Sequence, residues 1–77
     1  MSLLTIFRHL AKYRVMIDTI RKTGRALSDP NRVRILLALM KKGDLCVCDL
    51  TDMLGLAGAT VSRHAAILLE AGLVETR

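Results

Sequence analysis

Apolar residues recur along this 77-residue chain at steps of three and four, the spacing that lines one face of an α-helix. Leu3, Ile6, Phe7, Leu10, Tyr13, Met16, Ile17 and Ile20 form the first such stripe, which is expected to end or loosen near Gly24. Composition agrees with a helical reading. Hydrophobic residues make up 52% of the chain, yet it has one Phe, one Tyr and no Trp, so its core is aliphatic rather than the β-branched and aromatic face of a sheet. That hydrophobicity argues against disorder. The longest unbroken apolar run, Ile35 to Met40, is six residues and too short to span a bilayer. Arg8, His9 and Lys12 interrupt the apolar N-terminus, so no secretory signal is read there and a cytoplasmic location is expected.

Glycine, proline and capping residues divide the remainder. Ser28 or Asp29 can cap a second helix, and Pro30 suits its first turn, where a missing N–H costs nothing. Val33, Leu36, Leu37 and Met40 are expected to face inward, and Lys41-Lys42-Gly43 supplies a basic last turn and a stop. A third helix is expected from about Val47 to Leu54, with Leu45, Leu50, Met53 and Leu54 on its buried side and Gly55 at its end. After Leu56-Ala57-Gly58, a fourth spans roughly Ala59 to Ala71, turns Val61, Ala65, Leu68 and Leu69 inward, and closes at Gly72. Leu73 to Arg77 reads as the start of an extended strand. The expectation is one all-α domain over 1–77, with an amphipathic helix at 1–24 and a helix-turn-helix at 45–72. The first helix either covers the core or pairs with a second copy, since a chain this short buries little of its own surface.

The helix-turn-helix spacing presents Thr60, Ser62, Arg63 and His64 near the start of its second helix. Arginine can take guanine bidentately, hydroxyls bond base edges or phosphates, and a helix N-terminus favours phosphate. His64 serves equally well as a structural hydrogen-bonder. Charge does not decide between these readings. Residues 1–42 hold ten Lys/Arg against two Asp/Glu and residues 43–77 two against five, so the net +5 comes from the N-terminal half.

Cys46 and Cys48 have C-x-C spacing and no secretory context, so they are not a disulfide framework. Side chains two apart in a regular helix diverge by about 200°, but at an N-cap and first turn both thiols can face one side. Cys46 with Asp49 three residues on has capping-box spacing, and a helix N-terminus favours thiolate. Soft thiolates select zinc, cadmium, lead, copper(I) or arsenite over hard cations. The alternative is two small apolar residues.

The segments Ala-Leu-Ser-Asp-Pro-Asn-Arg-Val-Arg-Ile-Leu (26–36), Asp-Leu-Cys-Val-Cys-Asp-Leu (44–50), Thr-Val-Ser-Arg-His (60–64) and Glu-Ala-Gly-Leu-Val (70–74) together resemble the ArsR/SmtB family. The resemblance covers residues 26–77. It implies a winged helix-turn-helix, with the wing and C-terminal helix apparently truncated here, in a homodimeric cytoplasmic repressor that releases operator DNA on binding metal or metalloid. It places the readout on Gly58, Ala59, Thr60, Ser62, Arg63 and His64, and the inducer (arsenite, cadmium, lead or zinc) on Cys46 and Cys48. Family members often carry Ser-Gln-Ser where this chain has Ala57-Gly58-Ala59, which removes a cap and a base-reading amide. Arsenite-binding members usually have a third cysteine where this chain has Thr51, so further ligands are sought in His9, Asp49, a dimer partner or sequence beyond Arg77. The rival readings are a thiol redox-sensing repressor and a truncated dimerisation module without DNA binding. No nucleophile–base pair or phosphate loop suggests an enzyme.

Overall fold

A computed structural model describes the backbone of residues 3–76 and the side chains of residues 14–76. The helices run α1 (Leu3–Leu27), α2 (Pro30–Lys42), α3 (Val47–Leu54) and α4 (Gly58–Glu70). No strand occurs among the described residues.

The ends of the helices follow from local chemistry, with two departures from expectation. α1 does not end at Gly24 but continues to Leu27. A glycine inside a helix costs only about 1 kcal/mol, and the last turn is held from outside. The Ser28 hydroxyl and N–H donate to Arg25 O (2.7 and 3.2 Å), and the Arg32 guanidinium donates to the carbonyls of Arg25 and Ala26. Asp29, not Ser28, caps α2, accepting from the Asn31 N–H at 2.8 Å with Pro30 behind it. Gly55 takes the left-handed conformation (φ 66°) that turns the chain from α3 toward α4, and its N–H closes on Thr51 O at 2.8 Å. The second departure lies after α4. Gly72 (φ 74°) donates to Leu69 O and Leu73 donates to Leu68 O, a paired 5→2 and 6→1 closure. The expected strand from Leu73 is absent among the described residues. The Leu73 N–H is committed to the helix end, and a strand exists only with a ladder partner. Arg77 lies outside the described residues.

Ala26 of α1, Ile35 of α2, Leu50 of α3 and Val61 and Leu68 of α4 form the buried core. Leu36, Leu39, Leu45, Leu54, Leu56, Ile67, Ala71 and Val74 pack around it. The inner face of α2 therefore differs from the expected one. Arg32, Ile35, Leu36 and Leu39 face in, Leu37 and Met40 are 59% and 80% exposed, and Val33 is half-buried. Met53 and Leu69 are also more exposed than expected, and Ala65 is half-buried. The cause on α2 is the side chain of Arg32, whose partners lie on the inward side.

Among its described side chains, those of residues 14–27, α1 is anchored at its C-terminal end. Ala26 is fully buried, whereas Met16, Ile17 and Ile20 of the expected stripe, and Val15 beside them, stand exposed, so this part of the stripe does not cover the core of its own chain. The side chains of Leu3, Ile6, Phe7, Leu10 and Tyr13 lie outside the described residues.

Core truncation separates the two faces of α2. Ile35→Ala or Leu68→Ala should cost roughly 2–5 kcal/mol in urea unfolding, while Met40→Ala should stay within about 0.5 kcal/mol. Equal losses at Ile35 and Met40 would contradict this packing.

Candidate nucleic-acid interface and thiol pair

Helices α3 and α4, joined through Gly55-Leu56-Ala57, pack on one another as a helix-turn-helix. Leu56 sits in the hydrophobic rim and holds the turn against the core. α4 opens at Gly58, one residue earlier than expected, with Ala57 as an extended N-cap (φ −64°, ψ 149°) that supplies no side-chain hydrogen bond. The Thr60 N–H closes on Ala57 O at 3.0 Å, and the N–H groups of Gly58 and Ala59 are left to solvent or to an anion. Val61 and Leu68 fasten the inner stripe of α4. Gly58, Ala59, Ser62 and Arg63 are exposed along the outer side, and Thr60 and His64 lie half-buried at its flanks. The six residues singled out in sequence thus share the N-terminal half of one helix.

Arg32 is the residue that sequence reasoning missed. Only 8% exposed, it is the one buried charged side chain among the described residues. Its Nε donates to Ala26 O at 2.9 Å and its Nη2 to Arg25 O at 2.8 Å. Its Nη1 lies 3.1 Å from His64 Nδ1 and 3.9 Å from Asp29 Oδ2. A guanidinium has donors and no acceptor, so Nδ1 must accept and the imidazole carries its proton on Nε2. One buried cation thereby joins the end of α1, the start of α2 and the middle of α4. The detectable signal was the i, i+3, i+4, i+7 register Arg32, Ile35, Leu36, Leu39, which competes with the wholly apolar register one residue on.

Cys46 and Cys48 open α3. Cys46 is the N-cap (φ −85°, ψ 165°), its Sγ accepting from the Asp49 N–H at 3.3 Å while Asp49 Oδ2 accepts from the Cys46 N–H at 3.1 Å. The expected capping box is present, with sulfur as one of its acceptors. Both thiols are free and exposed rather than buried as small apolar residues. Among the described residues no group of three or more His, Cys, Asp or Glu comes together that could hold a metal ion. Asp49 is engaged in the capping box, Thr51 donates to Cys48 O at 2.8 Å, and the side chain of His9 lies outside the described residues. The chemistry of two thiolates suits a thiophilic ion, but the described residues do not complete a coordination set.

Two carboxylates are held below the ordinary aspartate value of 3.8. At Asp29 the Asn31 N–H is the main cause, partial burial opposes it, and the Arg32 guanidinium assists. At Asp49 the Cys46 thiol contributes most and the Cys46 N–H next.

A family model described as "Bacterial regulatory protein, arsR family" matches residues 29–76. The chain is 43% identical over 53 residues to the arsenic resistance transcriptional regulator ArsR1 of Pseudomonas putida, covering 69% of this chain and 41% of the relative. It is 37% identical over 70 residues to the cadmium resistance transcriptional regulatory protein CadC homolog of Staphylococcus aureus, covering 91% of this chain and 56% of the relative. It is 43% identical over 53 residues to the arsenical resistance operon repressor of Escherichia coli, covering 69% of this chain and 45% of the relative. The chain spans about half the length of these curated relatives.

Two expected outcomes follow from the caps. Depressed carboxyl values mean that the stability contributed by Asp29 and Asp49 is complete above 3.8 and is lost as pH falls through their lower folded values. Asp29→Asn/Asp49→Asn should therefore flatten the acid limb of the thermal midpoint against pH; an unchanged limb would refute these assignments. Conversely, Ala57→Ser supplies the cap that α4 lacks and should add about 1 kcal/mol, or roughly 4–8 °C in midpoint.

Proposed function

The chain belongs to the arsR family of bacterial regulatory proteins, and from that premise we propose that it is the operator-binding part of a metal- or metalloid-responsive transcriptional repressor. The observation that carries the reading is α4, seated by Val61 and Leu68 and presenting Ser62 and Arg63 from an uncapped N-terminal half. In the major groove, Arg63 takes a guanine edge and Thr60 and Ser62 bond base edges or phosphates. The free N–H groups at Gly58 and Ala59 receive a phosphate, and His64 flanks them. Arg14, Arg21, Lys22, Arg25, Arg34, Lys41 and Lys42, all exposed on α1 and α2, supply the long-range attraction that the acidic second half lacks.

The exposed stripe Val15, Met16, Ile17 and Ile20 pairs with α1 of a second copy, making a homodimer whose two α4 helices read two half-sites. Cys46 and Cys48 receive the inducer, in the class of arsenite, cadmium, lead or zinc. Relatives named for arsenic and cadmium resistance support that class. Further donors come from outside the described residues or from the second copy. Cys46 Sγ, while it caps α3, supports the first turn of the helix against which α4 packs. A sulfur engaged elsewhere no longer accepts the Asp49 N–H, α3 loosens, and α4 loses the seat that suits the groove. Coupling of this kind is typically worth about 1–3 kcal/mol.

Two exposed free thiols without a third ligand among the described residues also favour a second reading, in which oxidation of the same sulfurs uncaps α3. A duplex selected by the chain from a random pool serves as probe in an electrophoretic shift. Arsenite, Cd(II), Pb(II) and Zn(II) are added in turn under reducing conditions, and peroxide is added separately. Release by one of the ions, abolished in Cys46→Ser/Cys48→Ser with DNA binding intact, is expected. Release by peroxide alone selects the redox reading. Self-association without any salt-dependent DNA binding overturns both.

A further inference from the structure

The imidazole of His64 has two nitrogens in different surroundings. Nδ1 faces the buried guanidinium of Arg32 at 3.1 Å. Nε2 has no hydrogen-bond partner among the described residues, yet no buried side-chain nitrogen or oxygen among them lacks one, so Nε2 reaches solvent. Because Arg32 can only donate, the proton of the ring sits on this outward nitrogen. The side chain next to the exposed Arg63 therefore ends in an N–H donor of set direction, in the N-terminal half of the helix whose outer residues are Gly58, Ala59, Ser62 and Arg63.

Arg32 is itself immobilised. Nε and Nη2 are committed to the carbonyls of Ala26 and Arg25 at the negative end of α1, and Asp29 lies on the α2 side. The groups facing His64 are thus the Arg32 guanidinium and, behind it, the Asp29 carboxylate and the two α1 carbonyls, with Arg63 its exposed neighbour on α4.

We propose that Arg32 is a positioning residue for DNA recognition: it accepts no contact with DNA itself but holds His64 so that Nε2–H is presented to a phosphate or base-edge acceptor beside Arg63, and it ties that donor to the end of α1. The proposal rests on the DNA-binding reading above and adds a residue outside both the readout helix and the thiol pair. A second consequence concerns assembly. The helix that carries the exposed dimerisation stripe and the helix that reads DNA share one rigid joint, so the spacing of two α4 helices in a dimer is set through Arg32.

Two substitutions at His64 separate the nitrogens. Asparagine places an acceptor where Nδ1 was and removes the outward donor. Glutamine places an amide where Nε2 was and removes the acceptor for Arg32. The probe is the duplex that the wild-type chain selects from a random pool, with a scrambled duplex of equal length as reference at fixed salt; thermal unfolding is measured in parallel. His64→Asn should keep the wild-type unfolding midpoint but lose roughly three- to tenfold of the preference for the selected duplex. His64→Gln should lower the midpoint. Arg32→Gln, assayed below its own midpoint, should lose preference to the same extent as His64→Asn, and the double variant Arg32→Gln/His64→Asn should lose no more than either alone. Should Arg32→Gln not fold, the His64 pair still decides. Full preference retained in His64→Asn, an unchanged midpoint in His64→Gln, or simple additivity in the double variant would each overturn the proposal. A wild-type chain that selects no duplex at all would instead overturn the DNA-binding reading, and the proposal with it.

Discussion

A buried guanidinium organises this small domain. An ion removed from water is stable only when its donors are met, and Arg32 meets them with two carbonyls of α1 and the imidazole of α4, with the carboxylate that caps α2 3.9 Å away. Each partner comes from a helix end or a helix flank, so satisfying one side chain sets the mutual placement of three helices. The carbonyls are among those that any helix leaves without an intrahelical partner at its C-terminus. The same bonds that compensate the charge also finish α1 and carry it past Gly24. Removing one partner of such a buried charge costs about 3–5 kcal/mol in general, a large share of what a domain of this size has to spare.

Around that joint the apolar core is slight. Ala26, Ile35, Leu50, Val61 and Leu68 are buried, while Val15, Met16, Ile17, Ile20, Leu37 and Met40 remain more than half exposed. A folded chain that leaves so much aliphatic surface in water is suited to assembly with a further surface. On α1 the exposed residues Val15 to Ile20 lie well away from the anchoring Ala26, which leaves that stretch free for a partner.

The helix starts show a division of labour. α2 begins with Asp29, and α3 begins with a thiol that doubles as an acceptor in a capping box, so the exposed sulfur of Cys46 and the stability of α3 are linked through one hydrogen bond. α4 begins with Ala57 and has no side-chain cap. An uncapped start is less stable, but the N–H groups of Gly58 and Ala59 remain available to a phosphate.

Much of this was legible in the residues. Three- and four-residue spacing, Pro30, Gly43, Gly55 and Gly72 determined four helices and three of their ends, because capping and left-handed turns depend on chemistry within a few residues. The capping box at Cys46 and Asp49, and the clustering of Thr60, Ser62, Arg63 and His64 on one helix, were likewise local. The facing of α2 was not. Val33, Leu36, Leu37, Met40 and Arg32, Ile35, Leu36, Leu39 are the same helical pattern one residue apart, and hydrophobicity alone prefers the first. Only the tertiary structure selected the second, because the partners that make a buried arginine affordable, Arg25 O, Ala26 O and His64, lie up to 32 residues away and meet nowhere but in the fold.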